Sequence, residues 1–143
     1  MSDSILYGLS PDEFIKLALA EDTGDGDHTS ISTIDEKITD IAKVKVKEDG
    51  IIAGIEVANR ILITVDKSLK IQKLIVDGTD VKSGDVVMIV EGNVRSLLKS
   101  ERLLLNCMQR MSGIATLTRK FVNAVEGTGA KILDTRKTTP NFR

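Results

Sequence analysis

Arginine and lysine side chains carry the most specific chemistry in this chain. The tetrad Arg136-Lys137-Thr138-Thr139 sets two fixed cations beside two hydroxyls, a combination suited to phosphate or carboxylate oxygens. It follows an apolar stretch at residues 130–135 that reads as a buried strand, and in α/β architectures ligands bind beyond the carboxyl ends of strands. A second cationic group lies upstream. At about 100° per residue, Arg95, Lys99, Arg102, Asn106 and Arg110 gather on one side of a helix, opposite Leu97, Leu104, Met108 and Met111. No acid falls in that cluster. Guanidinium forks match carboxylates and phosphates, so the face reads as an anion site, with a solvated basic face as the plainer alternative. The same rotation puts Glu101 within the apolar stripe, where an unpaired carboxylate is costly. Glu101 is therefore expected to meet a donor from another segment or subunit.

Other titratable groups say less. Residues 21–30 hold several acids and two glycines but lack the register of an EF-hand loop, and they read as a solvated, turn-forming loop. His28, the only histidine, has no Ser, Cys or second His beside it and reads as a surface residue. One cysteine, Cys107, and one histidine cannot build a disulfide or a zinc site, which suits a reducing, cytoplasmic setting. The 20 basic and 21 acidic side chains leave a net charge of −1, arguing against nucleic acid or an acidic membrane as a partner held by bulk charge. Residues 1–10 lack the basic and apolar regions of an export signal, and no stretch approaches the length of a membrane span. The expectation is a protein neither exported nor embedded in a membrane.

The elements that must position these residues follow from patterning. A length of 143 residues, 41% hydrophobic and 29% charged, fits one ordinary domain or a small domain joined to part of another. Ser10, Pro11 and Glu13 have the spacing of a capping box, and Phe14, Leu17 and Ala18 share one face of the helix that follows. Residues 42–46 alternate apolar and basic as a half-buried strand, and residues 51–54 would return as its partner after the turn Glu48-Asp49-Gly50. Ile55, Ala58, Ile61, Leu62 and Val65 recur at helical spacing, and residues 69–76 and 86–90 read as strands. A long amphipathic helix begins at Asn93. After Ser112-Gly113 a second helical stretch carries Leu117, Phe121, Val122 and Val125, with Gly127 suited to close it. Residues 65–92 also look like half of a lipoyl or biotinyl carrier domain, but no Met-Lys-Met or Asp-Lys-Ala tripeptide is present to carry the modification.

Three stretches, taken in order and spacing, identify a resemblance. They are Ala20-Glu21-Asp22 to Gly26-Asp27-His28-Thr29-Ser30, Glu101-Arg102-Leu103-Leu104-Leu105-Asn106 to Ser112-Gly113-Ile114-Ala115-Thr116, and Asp134-Thr135-Arg136-Lys137-Thr138-Thr139-Pro140. From about Ser10 to Arg143 the chain resembles the quinolinate phosphoribosyltransferases, with a ModD-like relative of shared architecture as the nearest alternative. The resemblance implies an α/β fold. An N-terminal α+β sandwich domain with a dimerisation role would span residues 1–107. A connecting helix and the first strand of an incomplete α/β barrel would span residues 108–143.

It also implies an activity: phosphoribosyl transfer from 5-phosphoribosyl 1-diphosphate to quinolinate with decarboxylation, giving nicotinate mononucleotide, pyrophosphate and CO2 in NAD biosynthesis. On the same basis Mg2+ is required, with ligands outside this chain, and the protein is a homodimer or higher homo-oligomer. Arg102, Thr135, Arg136 and Lys137 take the substrate-binding positions, with Arg102 reaching into a neighbouring subunit's pocket and Asn106 behind it. Residues 140–143 read Pro-Asn-Phe-Arg where the family usually has Pro-Gly-Leu-Arg. A non-enzymatic dimerising fragment is the reading from a different functional class.

Overall fold

Ser10 caps the first helix, α1 (Pro11–Thr23), as its spacing requires. Its hydroxyl accepts from the Glu13 amide at 3.2 Å, and the Glu13 carboxylate accepts from the Ser10 amide at 2.7 Å. Two donors that a helix start leaves unpaired are thereby satisfied. The computed structural model describes residues 10–137. The rest of the stretch read for an export signal, and the loop residues Thr138, Thr139 and Pro140 with the extension to Arg143, lie outside that range. The face that α1 buries is Ile15 and Leu19, with Phe14 partly buried, while Leu17 is turned to the exterior. Leu17 lies on the far side of the helix from the Ile15–Leu19 line, so the expected grouping of Phe14, Leu17 and Ala18 gives way to one rotated toward α1's neighbours.

The loop expected over residues 21–30 does not run its full length: its last three residues open a short helix, α2 (His28–Thr33). Asp27 is its N-cap and accepts from the Ser30 amide at 3.1 Å, which a lone Asp before a polar run can do without any apolar period to announce it. The chain continues through β1 (Thr39–Lys45), β2 (Gly50–Ile51), α3 (Ile55–Val65), β3 (Lys70–Lys73), β4 (Asp80–Val81), β5 (Val86–Asn93) and α4 (Val94–Ala124).

Two antiparallel sheets result. One has the order β1-β5-β3, with Thr39 opposite Asn93 and Lys70 opposite Glu91. The other pairs β2 with β4, placing Gly50 opposite Val81. Residues 51–54 therefore do not return against β1 as expected. Ile51 and Ile52 are buried in succession, which an alternating half-buried strand cannot accommodate. The Ile52 amide donates to the Thr79 carbonyl and the Gly78 amide to that of Ile52, so this segment belongs to the second sheet. The carrier-like segment is also divided: β3 and β5 share one sheet while β4 joins the other, and the Lys82-Ser83 turn is pinned by the Ser83 amide donating to Asp49 at 2.9 Å.

The core lies between the helices and β5. Ile55, Ala58, Ile61 and Leu62 of α3 meet Val87, Met88 and Val90 of β5 and Leu104 and Met108 of α4. Gly54 makes the close approach between α3 and α4: its φ is +100°, and a Cβ there would lie 3.2 Å from the Met108 Cα. Cys107 is half-buried at the edge of this core, and burial pushes its thiol pKa up.

Asn93 caps α4, its side-chain oxygen accepting from the amides of Arg95 and Ser96. The helix then runs unbroken for 31 residues, about 46 Å at 1.5 Å per residue. Two stretches divided at Ser112-Gly113 were expected, but the helix passes through both residues, and the Ser112 hydroxyl bonds the Ala53 backbone across the interface. Ile114, Leu117 and Phe121 remain exposed beyond it. Residues 130–137, read as a buried strand and its exit loop, form no strand and are exposed, Leu133 to 81%. A strand needs a neighbour to take its amides and carbonyls, and none of the described segments supplies one.

Candidate anion site at Arg102

Where α4 passes the end of α1, Arg102 Nη1 donates to Asp22 Oδ1 at 2.5 Å. The arginine side chain is 71% exposed and the aspartate only 23%. Ala18, Glu21, Asp22, Arg102, Leu103 and Asn106 line a concavity of about 390 Å³ around the pair. The hydrogen bond that Arg102 donates to Asp22 and then the charge of Asp22 push the Arg102 pKa up, with Asp27 and Glu101 adding to the same effect. The guanidinium, a cation in any fold, stands in an open hollow flanked by Glu21 and Asp22.

The basic face expected on this helix is divided by what packs on it. Arg95 Nε donates to the Ile34 carbonyl at 2.8 Å, and Nη2 donates to the carbonyls of Ile31 and Ile34. Arg95 therefore closes the C-terminal end of α2, satisfying carbonyls that a helix end leaves unpaired. Lys99 and Arg110 are exposed. Of the arginines on this face, Arg102 is the one that lines the concavity, together with Asn106.

Glu101 lies outside the buried stripe to which the rotation assigned it. The buried residues of α4 are Ser100, Leu104 and Met108, and Glu101 sits one helical step to the side, exposed, with no donor from another segment among the described residues. The wheel centred on Leu97 and Met108 set the buried stripe too far toward it.

Thr135, Arg136 and Lys137 lie in the exposed segment after α4. The Thr135 amide donates to Asp134 Oδ1 at 2.7 Å and the Lys137 amide to Thr135 Oγ1 at 3.2 Å. None of the three lines the Arg102 concavity. The two cationic groups are therefore not gathered into one pocket among the described residues. His28 is exposed and meets Asp25 at 3.2 Å, as a surface histidine would.

Asp22 is the member of the site that residue reading missed, and a signal for it was present. The last turn of α1 contains no basic residue, yet Glu21 and Asp22 stand at the negative end of the helix dipole, where acids are unfavourable. Two acids in that place call for a cation from elsewhere, and Arg102 is that cation.

The chain matches the quinolinate phosphoribosyl transferase N-terminal domain over residues 27–112 and the C-terminal domain of the same enzymes over residues 114–143. It belongs to the quinolinate phosphoribosyltransferase family. Among relatives, it is 47% identical over 132 residues to the mitochondrial quinolinate phosphoribosyltransferase 2b (decarboxylating) of Nicotiana tabacum, covering 92% of this chain and 37% of that protein. It is 48% identical over 130 residues to the chloroplastic nicotinate-nucleotide pyrophosphorylase (carboxylating) of Arabidopsis thaliana, covering 90% of this chain and 37% of that one.

Among solved structures, NadC from Streptococcus pyogenes superposes with a TM-score of 0.86 at 38% identity, over 91% of this chain and 47% of that one. The α/β class expected from the sequence accordingly holds. As a member of the quinolinate phosphoribosyltransferase family, the chain spans 37% of the length of these curated relatives. The two domain matches meet at about Gly113, inside the continuous helix α4. No helix among the described residues is long and apolar enough to cross a membrane.

Proposed function

We propose that the protein containing this chain transfers the phosphoribosyl group of 5-phosphoribosyl 1-diphosphate to quinolinate, releasing pyrophosphate and CO2 and forming nicotinate mononucleotide for NAD biosynthesis. The observation that carries this reading is the match to both family domains in sequence order, residues 27–112 and then 114–143, across a helix whose Arg102 lines an open hollow. The quinolinate ring nitrogen attacks the anomeric carbon as the bond to pyrophosphate breaks. The adjacent carboxylate then leaves as CO2, and its electron pair stays on the ring carbon beside the cationic nitrogen until a proton replaces it.

Arg102, Thr135, Arg136 and Lys137 are the proposed substrate-binding residues. Forked and point cations suit the two carboxylates of quinolinate and the phosphates of its co-substrate, and the protein's part is positioning and charge complementarity. A homodimer or higher homo-oligomer, with Arg102 serving the pocket of a second copy, belongs to the same proposal and rests on the family resemblance. Magnesium belongs to the proposal as the companion of the departing pyrophosphate. Among the described residues no group of three or more His, Cys, Asp or Glu side chains could hold a metal ion, so it is assigned no ligand here. A cytoplasmic setting is proposed from the lone cysteine, while the tobacco and Arabidopsis relatives carry organelle names.

The test is nicotinate mononucleotide formation by the full-length protein, with quinolinate and nicotinate in direct competition. Preference for quinolinate with release of CO2 supports the reading. Absence of product from the full-length protein, the outcome expected of a non-enzymatic dimerising fragment, overturns it.

A further inference from the structure

We propose that Asp22 is the positioning residue for Arg102, holding one arm of the guanidinium so that the others are presented to a bound carboxylate. The inference rests on the reading of Arg102 as a quinolinate ligand. An arginine 71% exposed on a helix surface has many rotamers available, and among the described residues Arg102 has a single hydrogen-bond partner, Asp22. The bond uses Nη1 alone. Nε and Nη2 remain to donate to a planar carboxylate in the concavity that Asn106 also lines.

The anchoring member of the pair is the aspartate. Asp22 is only 23% exposed and stands in the last turn of α1, whose Ile15 and Leu19 are buried in the core. The turn is tied at its end: Thr23 Oγ1 donates to the Leu19 carbonyl at 2.8 Å and the Gly24 amide to that of Ala20 at 3.0 Å. The arginine therefore takes its position from α1, an element distant in sequence from α4. Asp22 also offsets part of the arginine's charge before a doubly anionic ligand arrives.

An ordinary exposed ion pair would look similar but contribute little, and kinetics separate the two cases. In the full-length protein, Asp22→Asn keeps the shape of the side chain and removes its charge. The KM for quinolinate is expected to rise roughly 10- to 100-fold, the range that a displaced positioning contact produces. The KM for 5-phosphoribosyl 1-diphosphate and the melting temperature stay at the wild-type values. Asp22→Glu recovers part of the quinolinate affinity, and Asp22→Asn adds nothing when Arg102 is already alanine.

A quinolinate KM within about twofold of wild type in Asp22→Asn overturns the proposal. So does an effect that persists in the Arg102→Ala background, or a rise in both KM values together with a lowered melting temperature. If Arg102→Ala itself leaves quinolinate affinity intact, the substrate reading of Arg102 fails and this proposal falls with it. A normal Asp22→Asn beside an impaired Arg102→Ala removes the positioning role alone.

Discussion

Ser112 Oγ, partway along α4, accepts a hydrogen bond from the Ala53 amide at 2.9 Å and donates one to the Ala53 carbonyl at 3.1 Å. One turn further on, Thr116 Oγ1 accepts from the Ile51 amide at 2.9 Å. Two helix hydroxyls thus do for residues 51–53 what a neighbouring strand would do. Ser112→Ala leaves both backbone groups of Ala53 without their partner, and the expected loss is about 1–3 kcal/mol. Chemical denaturation of the two proteins checks this, and coincident midpoints would show that the serine hydroxyl is dispensable.

Gly54 supports a second, independent expectation. Its φ of +100° is strained for any residue with a Cβ, and that atom would press within 3.2 Å of the Met108 Cα. Gly54→Ala should destabilise the fold by roughly 1–3 kcal/mol, read as a lowered melting temperature in calorimetry. A variant that melts with the wild type would mean that α3 and α4 separate without penalty.

Acid sensitivity follows from Asp66. Its carboxylate accepts from the Ser68 hydroxyl at 2.6 Å, the Ser68 amide at 2.8 Å and the Ser96 hydroxyl at 2.8 Å, and these bonds hold its pKa below the ordinary 3.8. A carboxyl whose folded pKa is depressed stabilises the fold above its unfolded pKa, and that contribution fades as pH falls through the unfolded value and then the folded one. Asp66→Asn should therefore melt below wild type at about pH 7, with the gap closing as the pH falls below the ordinary 3.8 of an aspartate. A gap that stays constant across a pH series of melting curves would contradict the assignment.

Arg102→Ala in the full-length protein should raise the KM for quinolinate or abolish activity while the fold is retained, since its guanidinium is largely in solvent and exposed pairs contribute little to stability. Steady-state kinetics and a melting curve on the same preparation are the measurements. Normal quinolinate kinetics would remove Arg102 from the substrate site.

The 143-residue chain by itself should form no nicotinate mononucleotide, because it spans only 37% of the length of its curated relatives and a full α/β barrel typically needs about 250 residues. A product assay on the purified chain tests this directly, and measurable turnover would refute it.

Local chemistry was legible wherever a motif acts on its own neighbours. Ser10 and Glu13 announce the start of α1, the 55–65 spacing announces α3, and Asn93 stands where α4 begins, because caps and amphipathic periods act within one or two turns. The cationic residues were legible as chemistry for the same reason, since a guanidinium is an anion ligand in any fold. Tertiary structure alone decided that β2 turns to β4 instead of β1, that α4 runs through Ser112-Gly113, that Glu101 lies outside the buried stripe and that Arg95 serves α2 while Arg102 meets Asp22. Each of these depends on a partner tens of residues away. Periodicity shows which face of an element is apolar, but only packing determines which segment arrives to cover it or to meet its charges.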